Sequence, residues 1–78
     1  MLYNRIAVMR ADAGISRQDL AEKVDVNYQT IGFIERSDYS PSLELAFKIA
    51  EVFGVRVDQV FSDKPIKPLL TNKENSDG

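Results

Sequence analysis

Cysteine and histidine are both absent from this 78-residue sequence. Their absence removes disulfides, thiol catalysis, Ser-His-Asp triads and zinc sites built on sulfur or imidazole, leaving only carboxylate, lysine or tyrosine chemistry. No metal site and no cofactor is expected. Long hydrophobic runs are missing too, since no apolar stretch approaches the roughly 18 residues that span a bilayer. The first ten residues carry Asn4, Arg5 and Arg10 where a secretory leader needs an uninterrupted apolar segment. The expectation is a cytoplasmic protein without a membrane partner. Positive charge is also in short supply: 10 Lys and Arg stand against 12 Asp and Glu, a net charge of −2. Residues 1–61 hold 7 basic and 9 acidic side chains and residues 62–78 hold 3 of each. Proteins that live on nucleic acid are usually basic, so any phosphate binding here must be local.

What is present is ordinary globular composition, with 44% hydrophobic and 28% charged residues. A chain of this length makes one small domain that buries roughly 60% of its unfolded surface. Residues 1–61 divide into short amphipathic segments, each opened by a cap and closed by Gly or a polar turn. Leu2, Ile6 and Met9 recur at helical spacing and Gly14 stops them, which predicts a first helix over about residues 3–13. Ser16 caps a two-turn second helix, with Asp19 completing a shortened capping box and Leu20, Ala21 and Val24 facing inward. Asn27 caps a third helix that ends near Arg36 and turns Ile31 and Ile34 inward. Ser40-Pro41 opens a fourth, with Pro41 as first helical residue and Leu43, Ala46, Phe47, Ile49, Ala50 and Phe53 as its buried face. Gly54 ends it, and a short fifth helix, Val57 to Phe61, closes the core with Val55. There is no strand pattern and no internal repeat. Residues 62–78 read as an extended, largely flexible tail: Lys64 to Pro68 cannot be helical, and Thr71 to Gly78 has no apolar side chain. Ile66, Leu69 and Leu70 are the one part of the tail suited to docking, on this domain, on a second subunit or on another protein.

The informative stretch is residues 17–36, RQDLAEKVDVNYQTIGFIER. Two short helices joined by a tight turn, with apolar residues at Leu20, Val24, Val26, Ile31 and Ile34 and small Ala21 at the crossing, have the spacing of a helix-turn-helix. Together with the segments PSLELAFKIAEVFGV and DQVF, the run from Asn4 to Phe61 resembles the Cro/phage-repressor (XRE) regulators, particularly the small stand-alone bacterial ones. The resemblance implies an all-α, five-helix bundle of the lambda-repressor-like DNA-binding type. It also implies a transcriptional regulator, a repressor for preference, that binds a near-palindromic operator in double-stranded DNA as a homodimer.

On that resemblance the amino-terminal part of the third helix enters the major groove, where base edges are readable. The groove-facing residues are then Tyr28, Gln29, Thr30, Gly32 and Phe33. Gln29 is suited to a bidentate pair with adenine, and Thr30 to a thymine methyl or a phosphate. Phe33 has two readings, a groove contact or a packed or interfacial role. Phosphates would be held by Ser16 and Arg17 at the start of the second helix, and by Asn27, Arg36, Tyr39 and Ser40 around the third. Arg10 and Glu35 are expected to form a buried structural ion pair between the first and third helices.

The chain departs from the family pattern at several positions. Asp25 and Ser37 stand where glycine is usual, and both positions are expected to need φ > 0. Arg17 replaces a common glutamine, and Gly32 replaces a longer polar residue, leaving space for a thymine methyl or for Phe33. Ala7, Val8 and Ala11 make the outer side of the first helix less polar than expected. That surface, or the fifth helix with the tail, is a candidate dimer contact. Two other functions remain open: the antitoxin of a toxin–antitoxin pair, its tail wrapping the toxin, or a protein-interaction adaptor without DNA binding. Asp, Glu and Lys fall on solvated helix faces, which argues against an enzyme.

Overall fold

The computed structural model describes residues 2–66. Five helices run in chain order: α1 (Ile6–Ala13), α2 (Arg17–Val24), α3 (Tyr28–Glu35), α4 (Leu43–Phe53) and α5 (Val57–Val60). Two strands of two residues, β1 (Tyr3–Asn4) and β2 (Phe61–Ser62), bring the ends of this helical unit together. The fold is all-α apart from that clasp.

Helix boundaries follow from how their orphan backbone groups are satisfied. Gly14 and Gly54 end α1 and α4 in the left-handed conformation, at φ 73° and 70°. The first helix starts at Ile6 rather than at residue 3, because Tyr3 and Asn4 pair antiparallel with Ser62 and Phe61. Arg5 extends the pairing by donating its N–H to the Val60 carbonyl at 2.8 Å. This corrects the expectation of no strand, since two residues are too few to show a period of two. It also ends the last helix at Val60 and carries the pairing to Ser62, one residue into the stretch read as tail. The fourth helix starts later than Ser40-Pro41 predicts. The Ser42 hydroxyl accepts from the Leu45 N–H at 3.1 Å and caps it, so Pro41 lies before the cap.

The core is Ile6, Leu20, Ala21, Val24, Ile31, Ile34, Ala46, Ile49, Ala50, Val60 and Phe61. The expected buried face of α4 is too wide: Leu43 is 70% and Phe47 57% exposed. Ala46, Ile49 and Ala50 define the inward stripe, and Phe47 is rotated about 100° from Ala46 on a helix of 3.6 residues per turn. Val8 is likewise exposed on the outside of α1. No helix among the described residues is long and apolar enough to cross a membrane. Ile66 is half-buried. Leu69, Leu70 and the stretch from Thr71 onward lie outside the described residues.

Candidate nucleic-acid interface

The second and third helices are fixed by local chemistry before they pack. Ser16 Oγ accepts from the Asp19 N–H at 2.9 Å while Asp19 Oδ2 accepts from the Ser16 N–H at 3.0 Å, a complete capping box. Donation from the Ser16 backbone, then from its hydroxyl, holds the Asp19 carboxyl below the usual aspartate range. A depressed carboxylate stabilises the fold above its unfolded pKa, and this contribution fades as pH falls through the lower, folded value. Asp25 then takes the left-handed conformation, at φ 62°, and turns the chain. Asn27 Oδ1 accepts from the Gln29 N–H at 2.7 Å and starts α3.

Packing decides which side of α3 faces out. Ile31 and Ile34 are fully buried with Leu20, Ala21 and Val24 of α2. Tyr28, Gln29 and Phe33 are exposed on the opposite side, with Thr30 half-buried between the faces. Tyr39 and Ser40 are exposed in the loop that follows, and Ser16 and Asn27 are exposed at the starts of the two helices. At its end α3 is tied to the strand clasp. Asn4 Nδ2 donates to the Ile34 carbonyl at 2.9 Å, and the Ser37 hydroxyl, on a residue with φ 64°, donates to the Leu2 carbonyl at 3.0 Å. Neither bond is apparent from sequence spacing, since they join residues 30 and 35 positions apart.

Glu35 is the polar centre of the arrangement. Its side chain is 6% exposed, and Arg10 Nε donates to Oε2 at 2.7 Å. Arg17 also donates to it, from Nη2 to Oε1 at 3.0 Å and from Nε at 3.3 Å. The ion pair expected from sequence thus has a third member. Arg17 commits one edge of its guanidinium to Glu35 and keeps Nη1 free of that pair.

Gly32, expected on the groove-facing side, lies beneath two arginine side chains. It is buried, and a Cβ there would stand 3.4 Å from Arg36 Nη1 and 3.5 Å from Arg17 Nη1. The guanidiniums of Arg36 and Arg17 stand over it. Because those distances are ordinary van der Waals contact, Gly32→Ala is expected to fit and to stabilise α3 by roughly 1 kcal/mol through helix propensity. A denaturant melt measures this; a lower midpoint would show that the guanidiniums need the extra room. Arg36 has two further contacts, its Nε 3.2 Å from Asp38 Oδ2 and its Cζ 5.1 Å from the Phe33 ring centroid.

Comparison with known proteins fits this geometry. A helix-turn-helix family profile matches residues 6–60. The chain is 47% identical over 60 residues to an uncharacterized helix-turn-helix-type transcriptional regulator of Archaeoglobus fulgidus, covering 77% of this chain and 86% of that one. A counterpart in Bacillus subtilis is 43% identical over 60 residues, covering 77% and 91%. Among solved structures, a Bacteroides fragilis protein provisionally described as DNA-binding superposes with a TM-score of 0.72 at 31% identity, over 80% of this chain and all of that one.

Proposed function

The chain belongs to the XRE-type helix-turn-helix family, and from that premise we propose that it is a DNA-binding transcriptional regulator which inserts α3 into the major groove. The observation that carries this is the two-faced α3. Ile31 and Ile34 lock it to the scaffold, while Tyr28, Gln29 and Phe33 stand exposed on its outer side. A rigidly held helix with exposed side chains is what direct readout requires. Gln29, in the first turn, is the reader of an adenine edge, and Tyr28 and Thr30 flank it. Ser16, Arg17, Asn27, Tyr39 and Ser40 surround this face and hold phosphates, partly through backbone N–H groups at the helix starts, which compensates for the net charge of −2. The working form is a homodimer acting as a repressor on a near-palindromic operator.

Selection from a random pool of double-stranded DNA tests this reading. The enriched sequence should contain two half-sites one DNA turn apart, roughly 34 Å. Gln29→Ala should lower affinity for that sequence by roughly 1–3 kcal/mol per half-site and remove the preference at one base position. If the protein enriched no sequence and showed no salt-dependent retention on DNA, the adaptor reading would replace this one, with the exposed Leu43 and Phe47 as its contact surface.

A further inference from the structure

The sequence places Arg36 among the residues that hold phosphate, yet its surroundings suit a different task. A phosphate contact needs charge at roughly the right distance, and a flexible side chain supplies that. Recognition of a base edge needs a guanidinium in a fixed orientation, because guanine O6 and N7 accept two parallel N–H bonds.

Arg36 is oriented by two contacts. Asp38 Oδ2 accepts from its Nε at 3.2 Å. The Phe33 ring lies against its guanidinium, with Cζ 5.1 Å from the centroid, within cation–π range. Toward the helix, Nη1 lies 3.4 Å from where a Cβ on Gly32 would be. The last contact also shows where the charge sits. Arg36 follows the last residue of α3, but its side chain runs back toward the helix start, the direction in which helical side chains lean. Its guanidinium therefore lies one turn back, over Gly32 and beside Phe33, within the exposed stripe that begins at Gln29. With Nε committed to Asp38, the two Nη groups form the open end of the fork, and the side chain remains 54% exposed.

We propose that Arg36 reads a guanine in the major groove, with Phe33 as the positioning residue that holds its guanidinium along the helix. The proposal rests on the DNA-reading function above and adds a second base-specific contact one turn beyond Gln29. It also gives Phe33 a role that neither core packing nor a thymine methyl supplies. Asp38 offsets the charge of Arg36 in the free protein, so Arg36 contributes more to selectivity than to the overall attraction for DNA.

The test is selection from a random double-stranded pool with the wild-type protein, Arg36→Lys and Phe33→Leu, followed by salt titrations on the wild-type sequence. Lysine keeps the charge and loses the fork. The wild type should require guanine at one position of each half-site. Arg36→Lys should lose that preference, a change of roughly tenfold in relative affinity against the other bases, and keep the preference assigned to Gln29 and the slope of log affinity against log salt. Phe33→Leu should weaken the same position. Thermal melts of both variants should match the wild type, since both side chains are about half exposed. If Arg36→Lys selected the wild-type sequence, while Arg36→Gln kept the sequence and reduced the salt slope by about one unit per half-site, Arg36 would be a phosphate holder and the inference overturned. A wild type that enriches no sequence would instead remove the DNA-reading function itself, so the two failures are distinct.

Discussion

Glu35→Ala is expected to destabilise the fold by about 3 kcal/mol, because it leaves the mostly buried Arg10 guanidinium without its carboxylate. The Arg10 side chain is 18% exposed and that of Glu35 6%, so little water can replace the lost partner. Arg10 Nη1 retains only the Ile15 carbonyl at 3.3 Å. Arg17→Ala is the control. Its side chain is 42% exposed, and removing it leaves Glu35 paired with Arg10, so the loss should stay within about 1 kcal/mol. Denaturant melts with an unchanged slope and a shifted midpoint measure both. A Glu35→Ala loss below about 0.5 kcal/mol would show that the network adds almost nothing to the fold.

Ile31→Ala should cost about 2–5 kcal/mol, the range for truncating a large aliphatic side chain in a closed core. Ile31 is 0% exposed and forms the contact of α3 with α2. A domain of this size has a total stability of roughly 4–12 kcal/mol, so the variant should be partly unfolded near body temperature. Circular dichroism on heating reads this directly. Gln29, two residues earlier on the outer face, should give no change in midpoint when replaced by alanine. Equal losses for the two variants would mean that α3 is not held by one face, and the division between anchoring and reading residues would fail.

How much of this was legible in the sequence depended on the range of each interaction. The caps at Ser16 and Asn27 and the stops at Gly14 and Gly54 were readable, because each is settled within three or four residues along the chain. The positive φ at Asp25 and Ser37 was legible from the resemblance to the family pattern. The inward pairs Leu20–Val24 and Ile31–Ile34 were legible from helical periodicity. The clasp of Tyr3–Asn4 on Phe61–Ser62 was not, since two-residue strands carry no pattern and their partners are almost sixty residues apart. The exposure of Leu43 and Phe47 was also hidden: periodicity marks an apolar face but does not say how far a neighbouring helix covers it.

Amino-acid order alone determined the helix ends at Ser16, Asn27, Gly14 and Gly54, the helix-turn-helix spacing and the sides of α2 and α3 that must be buried, because backbone hydrogen bonding and the hydrophobic effect act on local patterns. Tertiary structure alone decided what Arg17 and Arg36 do. Arg17 bends to a carboxylate eighteen residues away, and Arg36 lies back over Gly32 against Phe33. Long charged side chains have many rotamers of similar energy, and only the assembled positions of Glu35, Asp38 and the Phe33 ring select one for each.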